Sequence, residues 1–153
     1  MGSEVFARLE ELGLAIPAVV PPVAAYVPAV RTGNHVYVSG QLPMVDGKLP
    51  AEGLVGQDVT PEQAKDLARQ AGLNAIAAVH ALVGLDKVVK VVKIVGFVAS
   101  APGFTGQPGV VNGASELFGE VFGEAGRHAR SAVGVSALPL NTPVEVEAIF
   151  EVA

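Results

Sequence analysis

Thr60-Pro61-Glu62-Gln63 constrains the fold more than any other segment of this chain. Thr60 is a strong N-cap residue. Pro61 suits the first helical position, where its missing N–H costs nothing. Gln63 can bond back to the cap and close a capping box. The pattern predicts a helix from residue 61 to about 83, closed by Gly84. Along it Ala64, Leu67, Ala71, Ala75, Ala78 and Leu82 recur at steps of three and four. That apolar stripe is built mostly of alanine, so it is narrow enough to lie close on a sheet.

The rest of the chain supplies the sheet. Residues 25–31 and 35–39 read as strands of a hairpin, turning at Thr32-Gly33-Asn34. Residues 87–99 are Val-rich and read as a strand, as do 131–138 and 144–152, with a turn over 139–143. In the last strand Val144, Val146, Ala148, Phe150 and Val152 face one way, and Glu145, Glu147, Ile149 and Glu151 the other. A second long helix is expected from 108 to about 125, with Val111, Leu117, Val121 and Phe122 toward the core. Gly113, Gly119 and Gly123 weaken it or allow close backbone approach. Residues 3–12 read as a short helix capped by Ser3, with Val5, Phe6, Leu9 and Leu12 on one face. A Pro-rich extended linker follows over 17–22, and residues 40–56 form a long loop whose tightest turn is Asp46-Gly47. Residues 1–20 are thus a helix and linker, and 21–153 one domain. The order ββ-α-β-α-ββ predicts an α+β two-layer domain with a mixed, mostly antiparallel sheet and both long helices on one face. The other face carries Val and Ile beside glutamates, so burial against other subunits is expected there.

Composition narrows the function classes. Half the residues are hydrophobic and only 16% are charged, where about 25% is usual. The uncharged stretch 12–30 is broken by Pro17, Pro21, Pro22 and Pro28, and that over 94–115 by Gly and Pro, so no membrane span is expected. The N-terminus has no basic region before an apolar core, so no secretory signal is expected. The net charge of −5 and scattered basic residues argue against a nucleic-acid partner. The absence of cysteine removes disulfides, thiol nucleophiles and Zn–Cys sites. A cytoplasmic location is the expectation.

Few residues remain to carry chemistry. His35, His80 and His128 share no short ligand spacing, so no metal site is expected, and His80 reads as a C-terminal cap or surface residue. There is no GxSxG and no phosphate-binding glycine loop. Arg130 stands where an apolar strand is expected to start. It is either a solvated rim residue or an anion clamp, since guanidinium offers a rigid fork that matches a carboxylate. Glu145 lies on the strand expected at an interface, where a carboxylate needs a partner or a role. One Arg to hold an anion and one Glu to orient or deprotonate water suffice for hydrolysing an activated C=N bond.

Three segments carry a resemblance to a known family. They are Tyr26-Val27-Pro28-Ala29-Val30 with Gly33-Asn34 and Val38-Ser39-Gly40-Gln41-Leu42-Pro43; Ala129-Arg130-Ser131-Ala132-Val133 with Leu138-Pro139; and Pro143-Val144-Glu145-Val146-Glu147-Ala148. In that order they resemble the YjgF/YER057c/UK114 family, the reactive-intermediate deaminases. The resemblance implies a chorismate-mutase-like fold and a homotrimer with ligand clefts between subunits. It implies that Arg130 grips a substrate carboxylate and Glu145 helps position water. Tyr26 would line the cleft from a neighbouring chain, and the backbones at Gly40 and Ala132 would hold the reacting nitrogen or water. The implied reaction is hydrolysis of 2-aminoacrylate, 2-iminobutanoate or related imines to 2-keto acids and ammonia, without a cofactor. The implied partners are a small carboxylate metabolite and copies of the chain itself. Ala132 stands where the family often has cysteine. Asn112 is the match to a pocket asparagine, although 112–130 is one residue longer than in well-known members. His128 is a candidate for the pocket of a divergent subgroup, to which the extra N-terminal residues also point. The alternatives are a non-catalytic carboxylate binder on the same trimer, and the ribonuclease or translation-inhibitor activity of some relatives, against which the acidic charge speaks.

Overall fold

The computed structural model describes residues 2–19, 22 and 24–153. The first helix, α1 (Gly2–Glu11), is followed by a hairpin of β1 (Ala29–Thr32) and β2 (His35–Gln41). Next come α2 (Pro61–Val83), β3 (Val88–Ala99), α3 (Gln107–Phe122), β4 (Ala129–Val135) and β5 (Val144–Val152). One five-stranded sheet has the order β1-β2-β5-β3-β4. Only the β3–β4 pair is parallel, and α3 is its crossover. The sheet is therefore mixed and mostly antiparallel, in an α+β layer arrangement.

The capping box forms as the sequence indicates. Thr60 Oγ1 accepts from the Gln63 backbone N–H at 3.1 Å, and Gln63 Oε1 accepts from the Thr60 backbone N–H at 3.0 Å. Ala64, Leu67, Ala71, Ala75 and Ala78 are buried, but Leu82 in the last turn is exposed, and Val79 and Leu85 complete the core there instead. The small stripe brings α2 close to α3. A Cβ at Gly113 would run into the Lys65 carbonyl, so only glycine fits this crossing. His80 serves as the C-terminal cap: its Nδ1 accepts from the Leu85 N–H at 3.0 Å.

Several boundaries differ from the sequence reading, each for a local reason. Among the described side chains of α1, Val5 and Leu9 enter the core. Phe6 is largely exposed and meets the His80 ring edge-on at 5.8 Å. The cap expected at Ser3 lies outside the described side chains. Strand β1 begins four residues later than expected, after Pro28, because residues 24–26 bend. Ser39 ties down the approach, donating from Oγ to the Val27 carbonyl at 2.7 Å and from N–H to the Pro28 carbonyl at 2.8 Å. Helix α3 ends at Phe122 and tightens into one 3₁₀ turn, Gly123–Gly126. Strand β4 begins and ends earlier than expected, because its partner β3 sets its span from Lys93↔Ala129 to Ala99↔Val135. Arg130 is therefore inside the strand, not at its threshold.

The two faces of the sheet differ. Val144, Val146, Ala148, Phe150 and Val152 are buried beneath the helices, where Phe118 and Phe122 ring Phe150 at centroid distances of 6.0 and 6.1 Å. On the other face Val30, Tyr37 and Ile149 form one cross-strand row, and Phe97 pairs with both Val133 and Glu145. No element of the chain lies over that face among the described residues, and Tyr37 and Val133 are 48% and 41% exposed. No described helix is long and apolar enough to cross a membrane.

Candidate active site

Arg130 pairs with Ile94, whose side chain is in the core, so Arg130 is turned to the helix side of the sheet. There it meets one face of α3. Its Nη1 donates to Asn112 Oδ1 at 2.7 Å and to Ser115 Oγ at 3.1 Å, and its Nη2 donates to the Pro108 carbonyl at 3.2 Å. Positions 108, 112 and 115 follow the helical steps of four and three, so one helix face builds the whole cradle. Guanidinium has five N–H donors. The cradle leaves the Nε–H and one Nη2 hydrogen without a partner among the described residues.

Every partner of Arg130 is neutral. The ion pairs among the described residues are Arg8–Glu4, Lys65–Glu116, Arg69–Glu120 and Arg127–Glu124, and none includes Arg130. A half-buried, oriented guanidinium without a counter-charge is suited to an anion from outside the chain. His128 joins the cluster: its Nε2 lies 2.9 Å from Ser115 Oγ and its Nδ1 2.6 Å from the Gly126 carbonyl oxygen. Ala132 follows on the same face of β4, half-buried against the core beside Gly96. The sequence reading missed Ser115, a lone serine in an apolar helix. Its signal is its spacing of three from Asn112.

Glu145 belongs to a second cluster. It pairs with Phe97, three positions beyond Ile94, and so points to the open face. Its carboxyl lies against Gly40, where the β2–β5 register shifts between Val38 and Gln41. A Cβ at Gly40 would collide with that carboxyl, so glycine is what lets the acid lie across the β2 backbone. Burial pushes the Glu145 carboxyl above the ordinary 4.5, and the nearby Glu147 charge adds to the rise. Tyr26 stands apart in the bend before β1, 57% exposed.

The expected site residues thus fall into two groups on one chain. Asn112, His128, Arg130 and Ala132 share the helix side near the β4 edge, and Gly40 and Glu145 share the open side. A concavity of about 350 Å³ bounded by Pro61, Lys65, Phe104, Gly106 and Val110 includes neither Arg130 nor Glu145. Among the described residues no three His, Asp or Glu side chains are grouped to hold a metal.

A mixed five-stranded sheet with two long helices on one face defines a chorismate-mutase-like α+β protein. Over residues 6–152 the chain matches the family described as "YjgF/chorismate_mutase-like, putative endoribonuclease", and it belongs to that family. It is 44% identical over 149 residues to the protein TCP17 of Trypanosoma cruzi, covering 96% of this chain and 93% of that one. It is 32% identical over 137 residues to the 2-iminobutanoate/2-iminopropanoate deaminase of Dermatophagoides farinae, covering 89% and 92%. A crystal structure of an Agrobacterium tumefaciens protein of unknown function superposes with a TM-score of 0.92 at 46% identity, covering 99% of this chain and 94% of that one. With that coverage, the N-terminal helix has a counterpart in a solved relative.

Proposed function

We propose that this protein hydrolyses imines and enamines that carry a carboxylate, of the 2-iminobutanoate and 2-aminoacrylate type, to 2-keto acids and ammonia. The observation that carries the reading is Arg130, oriented by neutral oxygens alone and left with free donors. The likeness to the D. farinae deaminase suggests the substrate class. We further propose a homotrimer whose open sheet faces turn inward, so that Arg130 of one protomer meets Gly40 and Glu145 of a neighbour. The uncovered apolar face and the separation of the two clusters on one chain support that assembly.

In this mechanism Arg130 binds the substrate carboxylate and places the C=N carbon. Glu145 takes a proton from water as the oxygen adds to that carbon, and hands it to the imine nitrogen. The resulting carbinolamine collapses: Glu145 takes its hydroxyl proton and passes it to the amino group, the C=O bond forms as the C–N bond breaks, and ammonia leaves with the carboxylate restored. An enamine first gains a proton at its terminal carbon and loses one from nitrogen to become the imine. The imine is already electrophilic, so the protein contributes mainly positioning. Tyr26 and the backbone at Ala132 would wall the cleft.

Hydrolysis of 2-iminobutanoate generated in situ tests this reading. Arg130→Ala should lower kcat/KM by about 10- to 100-fold, the range for losing hydrogen bonds to a charged group. Wild-type rates no faster than buffer, or equal rates in both proteins, would sink it. A carboxylate binder without turnover rests on the same Arg130. Under that reading Glu145→Gln leaves both 2-oxobutanoate affinity and the absence of turnover unchanged.

A further inference from the structure

We infer that Ser115 and His128 form a polar strut that fixes the plane of the Arg130 guanidinium, making both of them positioning residues for the carboxylate clamp. The inference rests on the reading of Arg130 given above. It follows from the direction in which each hydrogen bond must run.

The Gly126 carbonyl can only accept, so His128 Nδ1, at 2.6 Å, carries the proton between them. In its neutral form the ring then offers only a lone pair at Nε2. Ser115 Oγ, 2.9 Å away, donates its single proton to that lone pair. The hydroxyl oxygen is left with lone pairs alone, and Arg130 Nη1 donates into one of them at 3.1 Å. The chain of donation is Arg130 to Ser115 to His128 to Gly126. Without His128, the Ser115 hydroxyl could rotate its proton toward the guanidinium and cease to accept from it.

Asn112 Oδ1 takes the other Nη1 hydrogen at 2.7 Å. The Nη1 group is thus held from two directions, and the plane it defines sets where the free Nε–H and Nη2–H point. Phe118 steadies the imidazole edge-on at 5.9 Å. His128 therefore acts through Ser115 and does not itself touch substrate.

The test combines kinetics with nitrogen NMR of the full chain. Ser115→Ala and His128→Phe, the latter retaining a ring against Phe118, should each raise KM for 2-iminobutanoate about tenfold, with a smaller change in kcat. The double variant should be no worse than Ser115→Ala alone, because both act through one chain of bonds. Ser115→Thr, which keeps the hydroxyl, should recover most of the loss. In wild-type protein the His128 signals should show the Nδ1–H tautomer, and Ser115→Ala should move the Nε2 resonance. Additive kinetic losses, or an unchanged KM in His128→Phe, would overturn the strut. If wild type neither turns over imine nor binds 2-oxobutanoate, the functional reading fails, and the NMR decides the strut alone. An Nε2–H tautomer would then refute it, and an Nδ1–H tautomer sensitive to Ser115→Ala would support it.

Discussion

The two faces of the sheet use the same strands in opposite ways. On the helix side, β5 contributes Val144, Val146, Ala148, Phe150 and Val152, all buried within one chain. On the open side the alternate residues Glu145, Glu147, Ile149 and Glu151 are only half-buried. The helix side is finished by local means: alanine and glycine let α2 and α3 approach, and α3 supplies the cradle for Arg130. The open side sets Glu145 against Gly40 and beside Phe97, under the repulsion of Glu147. One chain therefore completes the cradle of Arg130, while Glu145 lies on the face that no described element covers.

Adjacent residues of β5 put that contrast to its strongest test. Phe150→Ala removes a ring with no exposed surface and should cost about 3–5 kcal/mol, read as a lower urea midpoint. That loss should be the same at every protein concentration if Phe150 acts within one chain. Ile149→Ala, on the open face, should cost about 2 kcal/mol if copies cover it, and the wild-type Tm should fall on dilution. A Tm independent of concentration, with Ile149→Ala nearly silent, would break the comparison by showing an open face that stays wet.

A smaller effect isolates the helix side. Thr60→Ala deletes the acceptor for the Gln63 N–H and should cost about 1 kcal/mol. Because the cap is exposed and distant from the open face, that cost should not vary with protein concentration. A concentration-dependent cost would mean that the helix layer also takes part in assembly.

The same contrast governs what could be read from the sequence. The helix of 61–83 was legible because capping chemistry is local: four consecutive residues carry it. Arg130 and Glu145 were legible as unusual charges in apolar strands. Their placement on opposite faces was not, because it depends on the β3–β5 register, which brings together residues some fifty positions apart. The start of β4 was misplaced for a related reason. A charged residue reads as a strand threshold, yet pairing with β3 extends the strand through it. Ser115 carried no motif, and only the helical step from Asn112 marks it.

The smallest effect is the most informative about the open face. Burial and the Glu147 charge hold the folded Glu145 carboxyl above 4.5. The folded state then binds this proton more tightly than the unfolded state does. Stability from this group is complete below the ordinary value and is lost as pH rises through the folded value. Glu145→Gln should therefore flatten stability across the interval above 4.5, and at neutral pH it should be at least as stable as wild type. If Glu145 also serves as the base, the acid limb of kcat should lie in the same interval and vanish in the variant. A covering protomer that brought a cation to Glu145 would reverse the stability slope, since pairing lowers the carboxyl in the folded state. Urea titrations of wild type and Glu145→Gln across this pH range, at low and high protein concentration, thus read what faces Glu145. A slope of one sign when dilute and the other when concentrated would place a neighbour's charge on the open face.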